Sequence, residues 1–265
     1  MNHFAFIKST LAFLMVVPFC FLSASYAQQQ IPKPTPMKPG MTEFWEPEVA
    51  VVTPGQSSDN AVMTAPSDAI VLFDGKDLSE WSSKNGGPAK WEMKDGMLTV
   101  KKGTGDILTK KEFGDFQLHI EWKIPANITG SGQVRGNSGI FLQGRYEIQV
   151  LDNYNNRTYS NGQAGSVYKQ TPPLKNALRP PGEWNVYDIV YTAPRFKEDG
   201  TVLYPARVTV IHNGVVIQNN TEIKGHTPYI GLPEYTAHGK GPIGLQDHSD
   251  PSEPISYRNI WIREM

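Results

Sequence analysis

The sequence predicts an all-β chain built as a two-sheet antiparallel sandwich or jelly roll, and three observations carry that prediction. After Asp68, short runs rich in β-branched and aromatic residues follow one another at close spacing, separated by turn signals. Between them no stretch shows the 3.6-residue period of an amphipathic helix. The composition agrees: 24 glycines and 21 prolines punctuate the chain, with 11 tyrosines and 6 tryptophans available for a sheet-rich core.

Taken in order, the first expected strand is 70–73, ending at the Asp74-Gly75 turn. Strands at 91–93 and 97–101 flank Asp95-Gly96, and 116–124 is a longer alternating run. Residues 138–143 and 145–151 lie on either side of Gly144, and 167–169 and 184–191 follow. Strands at 206–212 and 215–218 flank Asn213-Gly214, a strong hairpin signal, and 243–248 and 255–263 complete the set. Segments 153–165, 170–182 and 224–241 read as loops of a length that often carries function.

Ahead of this domain, residues 1–27 have the pattern of a secretory leader. Lys8 supplies charge, 11–22 are apolar, and Ser25-Tyr-Ala27 offers small residues for cleavage. The chain is therefore expected to be exported to the periplasm or beyond. The sole cysteine, Cys20, lies in that leader, so the processed chain has no disulfide and no thiolate. Val17-Pro-Phe before Cys20 fits a lipid-attachment signal poorly. Residues 28–67 read as a Pro-, Gln- and Ser-rich linker or tail, with an aromatic and acidic island at Glu43-Phe-Trp-Glu-Pro-Glu48, and 68–265 as the folded domain. A net charge of −1 with both signs interspersed argues against nucleic acid or an anionic membrane as partner. No segment after the leader is long and apolar enough to span a bilayer.

Side-chain parity gives the candidate site. On 145–151 the apolar Tyr146, Ile148 and Val150 share one face, so Arg145, Glu147 and Gln149 share the other. On 116–124 the set Phe116, Leu118, Ile120, Trp122 and Ile124 faces inward, leaving His119 and Glu121 outward. On 243–248 Ile243 and Leu245 face inward and Gln246 and His248 outward, with Asp247 at the strand end. If these strands belong to one sheet, Glu121, Glu147, Gln149, Gln246 and His248 converge on one surface. Two carboxylates, an imidazole and two amides form the inventory of an acid–base site. The plain alternative is a solvated sheet face. Around it, Phe141, Tyr154, Tyr159, Tyr168 and Trp184 are flat enough to stack on a sugar ring, with Trp184 and Trp261 better explained as core residues. Asn137, Arg145 and Lys169 are candidate polar contacts. Glu147, Asp247 and His248 offer oxygen and nitrogen ligands to a divalent cation such as calcium or magnesium, without the tight spacing that would demand one.

A set of motifs, each weak alone, occurs in one order along 68–264. Leu72-Phe-Asp-Gly-Lys-Asp-Leu78 with Trp81 comes first, followed by Glu121-Trp122 and Gly136-Asn-Ser-Gly-Ile140. Tyr146-Glu-Ile-Gln-Val-Leu-Asp152, Gly165-Ser-Val-Tyr168, Gly182-Glu-Trp-Asn185, Asn213-Gly214, Ile243-Gly-Leu-Gln-Asp-His248 and Arg258-Asn-Ile-Trp-Ile262 complete the series. Together they resemble the 3-keto-disaccharide hydrolase family. The resemblance implies a concanavalin A-like jelly roll of the lectin and glucanase type, and cleavage of glycosides oxidised to a ketone at C3.

On that expectation a base removes the C2 hydrogen acidified by the ketone, the enolate expels the C1 substituent, and water then adds. Glu147 or His248 is the candidate base. Glu121 is a candidate acid or ligand, and Gln149, Gln246 or a cation would polarise the ketone. The ketone itself implies a separate oxidoreductase, since the chain has no dinucleotide-binding fingerprint. Two alternatives stand beside this one. A conventional glycoside hydrolase on the same fold would want carboxylates at alternating positions, where this chain has Glu147, Gln149 and Leu151. A noncatalytic carbohydrate-binding module would need only the aromatics and amides.

Overall fold

The computed structural model describes residues 35–55 and 63–265. The leader expected at 1–27, including Cys20, lies outside the described residues, as does part of the expected linker. Among the described residues no helix is long and apolar enough to cross a membrane.

Among the described residues fifteen strands are formed. They are β1 (Ile70–Phe73), β2 (Trp81–Ser83), β3 (Glu92–Lys94), β4 (Met97–Thr99), β5 (Ile107–Thr109), β6 (Phe116–Lys123), β7 (Ser138–Leu142) and β8 (Tyr146–Val150). The rest are β9 (Trp184–Thr192), β10 (Arg195–Phe196), β11 (Val202–Tyr204), β12 (Arg207–His212), β13 (Val215–Glu222), β14 (Gly244–Leu245) and β15 (Ser256–Glu264). The larger sheet runs β13-β12-β9-β6-β15-β4-β3 with β1 also on β15, and the smaller runs β2-β5-β14-β7-β8. All the paired strands are antiparallel, giving the expected sandwich.

The inward sets pack as alternation requires. Leu118, Ile120 and Trp122 of β6, Tyr146, Ile148 and Val150 of β8, and Leu245 of β14 are all buried. The β7–β8 hairpin sets the register of the smaller sheet, because Gln143 (φ 52°) and Gly144 (φ 66°) both take the left-handed conformation of a type I′ turn. Gln143 tolerates this since its amide is anchored: Nε2 donates to the Phe113 carbonyl (2.9 Å), and Oε1 accepts from the Tyr191 hydroxyl (2.8 Å). Phe141 consequently sits opposite Glu147, and Gly139 opposite Gln149.

Several elements depart from the sequence reading. The short strands β2, β5, β10 and β11 are additional. Segment 167–169 contributes only isolated bridges, at Val167. Its backbone runs along β8, with the Gln149 amide donating to the Ser166 carbonyl and the Tyr168 amide to the Glu147 carbonyl. The left-handed Lys169 (φ 55°) then ends it. Trp261 is buried (2 % exposed) as the core reading expects, though outside the main inter-sheet cluster, whereas Trp184 is only half-buried. Trp184 lies under the Arg258 guanidinium (4.1 Å) and Lys123 (4.7 Å), and Trp261 stacks on His119 at 5.0 Å.

The acidic island is held against the domain. The Phe44 amide donates to Asn161 Oδ1 (2.9 Å), Asn161 Nδ2 donates to the Thr42 carbonyl (2.9 Å), and the Ser160 amide donates to the Phe44 carbonyl (2.6 Å). Buried Lys169 donates to the carbonyls of Pro39 (2.8 Å) and Tyr229 (2.9 Å). Residues 39–45 therefore form a strap rather than a free tether.

Candidate active site

The outer face of the smaller sheet forms the floor of a cavity of about 200 Å³. Phe141 and Asn137 reach it from β7 and its approach, Glu147 and Gln149 from β8, and Gln246 and His248 from the segment after β14. Tyr168 forms one wall, and Thr227 and Tyr229 of the long 224–241 segment form another. The sequence-predicted Glu147, Gln149, Gln246, His248, Asn137 and Tyr168 are thus brought together.

Glu147 is the cavity's chemical centre. It is 5 % exposed, its backbone amide donates to Thr227 Oγ1 (3.0 Å), and among the described residues no side chain bonds its carboxyl. Burial, and secondarily the negative charge of Asp106, push its pKa up to about 8. At neutral pH it is therefore mainly the neutral acid, able to donate a proton. Tyr168 is also pushed up by burial, to about 12, so its hydroxyl stays protonated.

His248 is oriented from behind. Its Nδ1 lies 3.0 Å from Asp250 Oδ2. Burial alone would raise Asp250, but the bonds from His248 and Ser252, with Lys102 nearby, hold it down at about 2. Ionised at neutral pH, this carboxylate favours Nδ1–H as its donor over the longer contact from the Asp250 backbone amide to the same nitrogen (3.3 Å), which leaves Nε2 as an acceptor. Lys102 Nζ also donates to the carbonyls of His248 (3.0 Å) and Asp250 (3.2 Å), clamping the segment.

The amides complete the floor. Gln149 Nε2 donates to Gln133 Oε1 (3.1 Å) and more weakly to the Gly162 carbonyl (3.3 Å). The Oε1 atoms of Gln149 and Gln246 are buried and have no donor among the described residues. Two fixed acceptors beside an acid and a base suit a ligand rich in hydroxyls.

Other predicted residues are placed elsewhere. Glu121 does not join Glu147: β6 belongs to the larger sheet and β8 to the smaller, so their outward faces are on opposite sides of the sandwich. Glu121 is instead a buried structural anion, accepting from Arg258 Nε (2.6 Å) and Asn259 Nδ2 (2.8 Å), with His119 3.5 Å away. Asp247 turns from the cavity, its Oδ2 accepting from the Gly105 amide (2.9 Å), so the Glu147, Asp247 and His248 trio is not assembled. Among the described residues no three such side chains are grouped to hold a metal. Tyr159 is buried against Tyr168, hydroxyl to hydroxyl at 3.0 Å, and Trp45 packs edge-on to it. Tyr154 lines a separate cavity with 51–55, and Lys169 is committed to the strap. Arg145 lies in an adjoining groove of about 370 Å³ that shares Thr227 with the Glu147 cavity.

Sequence reasoning missed Thr227, Tyr229 and Asp250. The first two arrive from a 224–241 segment without periodicity. Asp250 had a local signal: in Asp250-Pro-Ser252 its Oδ1 accepts from the Ser252 amide (2.9 Å), an Asx turn that aims the other oxygen back at His248.

Comparison with known proteins followed the same domain. A family model described as 3-keto-alpha-glucoside-1,2-lyase-like domain matches residues 68–263. A 3-keto-disaccharide hydrolase of Bacteroides thetaiotaomicron is 30 % identical over 246 residues, covering 73 % of this chain and 77 % of its own. A solved protein of Parabacteroides distasonis ATCC 8503, described as a proposed glycosyl hydrolase, is 65 % identical. It superposes with a TM-score of 0.77 over 85 % of this chain and 96 % of its own. A second from that organism, similarly described, is 25 % identical with a TM-score of 0.51 over 74 % and 99 %.

Proposed function

The chain belongs to the 3-keto-alpha-glucoside-1,2-lyase-like family, and from that premise we propose that it cleaves the glycosidic bond of 3-keto glycosides or disaccharides by elimination and hydration. The observation that carries this reading is the pairing, in one cavity, of a buried carboxyl that holds its proton with an imidazole backed by a carboxylate.

The geometry supports the following roles. His248 Nε2 takes the C2 proton, and the C2–H electron pair passes into an enolate on the C3 oxygen. As the enolate collapses to a C1=C2 double bond conjugated with the ketone, the C1–O bond breaks and Glu147 gives its proton to the departing oxygen. Water then adds at C1, its oxygen bonding to C1 and its proton passing to the Glu147 carboxylate, while the His248 imidazolium returns a proton to C2, so both groups are restored and the sum is hydrolysis. Asn137 and the Tyr168 hydroxyl are donors for the enolate oxygen. The Gln149 and Gln246 carbonyl oxygens accept from ring hydroxyls. The cavity suits one ring, and the groove beyond Thr227, with Arg145, receives the leaving residue.

A conventional hydrolase needs two carboxyl groups flanking the bond. Among the described residues lining the cavity, Glu147 is the one carboxylic acid. On this reading the ketone comes from a separate oxidoreductase, and the leader pattern of the sequence is in keeping with a reaction outside the cytoplasm. The test is incubation of the protein with an aryl glucoside and its 3-keto counterpart, with and without chelator, in D2O. Aglycone release from the keto compound alone, with deuterium at C2 of the sugar, supports the reading. Release from the ordinary glucoside alone, or from neither, sinks it.

A further inference from the structure

Gly139 sits in the middle of β7, where a glycine weakens a strand and usually has a local reason. The backbone does not supply one, because its φ lies outside the left-handed region that favours glycine. What occupies the missing side chain's place is Glu147. A Cβ built on Gly139 would lie 2.5 Å from Glu147 Oε1 and 3.0 Å from both its Cδ and its Cγ, and would meet no other atom as closely. The two strands are neighbours in register, with Gly139 opposite Gln149 and Phe141 opposite Glu147, so the Glu147 side chain leans diagonally across β7 onto the bare backbone of Gly139.

We propose that Gly139 is a positioning residue: its lack of a side chain is the seat on which the Glu147 carboxyl rests, and this fixes where the acid delivers its proton. The argument builds on the function proposed above but stands on the packing. Ordinary contact between carbon and a carboxyl oxygen needs about 3.5 Å. An alanine would therefore push the carboxyl about 1 Å out of place, a displacement that costs on the order of 100-fold in catalysis. Pushed off β7, the carboxyl would move into the cavity it lines beside Phe141 and Gln149, where water reaches it. The backbone of β7 would stay in place, tied by the Gln246 amide donating to the Gly139 carbonyl (3.1 Å) and by the Ser138 hydroxyl donating to the Gln246 carbonyl (2.7 Å).

The test is a double-mutant cycle on the full chain, Gly139→Ala with Glu147→Asp, reading kcat and KM on a 3-keto glucoside and the melting temperature of each variant. Gly139→Ala should lower kcat by about 10- to 100-fold with KM changed by less than about threefold. In the Glu147→Asp background the oxygen at 2.5 Å is withdrawn and Cγ alone remains within 3.0 Å of the added methyl, so the same substitution should cost less than in the wild-type background, about threefold or under. An equal loss in both backgrounds, or no loss in either, overturns the proposal. If Gly139→Ala alone does not accumulate as folded protein, recovery of folding on adding Glu147→Asp supports the steric seat, and failure to recover overturns it. If the wild-type protein is inert toward 3-keto sugars, the proposed function falls but this inference is still decided. The carboxyl carbon of Glu147, identified by its loss in Glu147→Gln, can be titrated by ¹³C NMR in wild type and Gly139→Ala. A lowered midpoint in the alanine variant supports displacement toward water, and superimposable curves refute it.

Discussion

Replacing Glu147 by glutamine should make the protein more stable, and increasingly so as pH rises. The folded carboxyl holds its proton up to about pH 8, whereas in the unfolded chain it releases it near 4.5. Between those values the folded state binds more protons than the unfolded, so wild-type stability falls as pH rises through that window and levels off above it. Each pH unit of separation corresponds to about 1.4 kcal/mol, so the full penalty carried above pH 8 is about 5 kcal/mol. Water that follows the new charge into the cavity offsets part of it. Even half of that, about 2.5 kcal/mol, moves the melting temperature of a domain this size by about 5 to 10 °C. Glutamine keeps the shape and never ionises, so the variant lacks this term. The assay is thermal and urea unfolding of wild type and Glu147→Gln at half-unit steps from pH 4.5 to 9. The variant's advantage should grow steadily up to about pH 8 and then plateau, while turnover is lost. Parallel stability curves would show that the carboxyl is not buried as a neutral acid, and the role given to it would fail.

Three further outcomes follow from the same geometry. Turnover should decline above about pH 8 as Glu147 ionises, and a rate still rising at pH 9 would identify it as a base instead. Asp250→Asn should lower kcat by about 10- to 100-fold with little change in KM, because the amide leaves His248 without the acceptor that fixes its tautomer; a change in KM alone would argue that Asp250 merely shapes the pocket. Glu121→Gln should leave kcat and KM near wild type while destabilising the fold by about 1 to 3 kcal/mol, measured by urea unfolding, since it removes the charge paired with Arg258 on the other side of the sandwich; a specific loss of kcat would refute the separation of the two sheets' roles.

The contrast between Glu121 and Glu147 shows what a linear pattern carries. Alternation states which side chains leave the core, because a strand has only two faces, and it placed Phe116 through Ile124 and Tyr146 through Val150 correctly. A sandwich, however, has two outward faces. Which one a strand presents depends on the sheet it joins, and that is decided by pairings such as β6 with β15 and β7 with β14, more than 100 residues apart in sequence. Glu147, Gln149, Gln246 and His248 came together because β8, β7 and β14 share the smaller sheet, whereas an equally regular β6 carried Glu121 to the far side.

The strap is the complementary case. Its Pro-rich surroundings suggest a tether, yet Asn161, Ser160 and Lys169 bind mainly its backbone, with Lys169 adding an ion pair to Glu43 (3.7 Å). Backbone recognition leaves no compositional trace in the recognised segment, and this explains why residues outside the 68–263 match are structurally part of the domain. Beside the packing of Trp45 on Tyr159, the tie reaches the site through an ammonium group. Lys169 Nζ joins the Pro39 and Tyr229 carbonyls, lies 4.7 Å from the centre of the Tyr229 ring, and is 6 % exposed. A buried cation of this kind is stable only while its acceptors stay in place. Lys169→Met keeps the length and apolar stem but releases both carbonyls, so Tyr229 loses its fixed position on the cavity wall. The expected result is a KM raised about 3- to 10-fold with kcat nearly unchanged, since Tyr229 lines the cavity wall and has no part in the proton transfers proposed for Glu147 and His248. A fall in kcat at constant KM would instead place Lys169 in line with the proton transfers of Glu147, and the separation drawn here between wall and chemistry would fail.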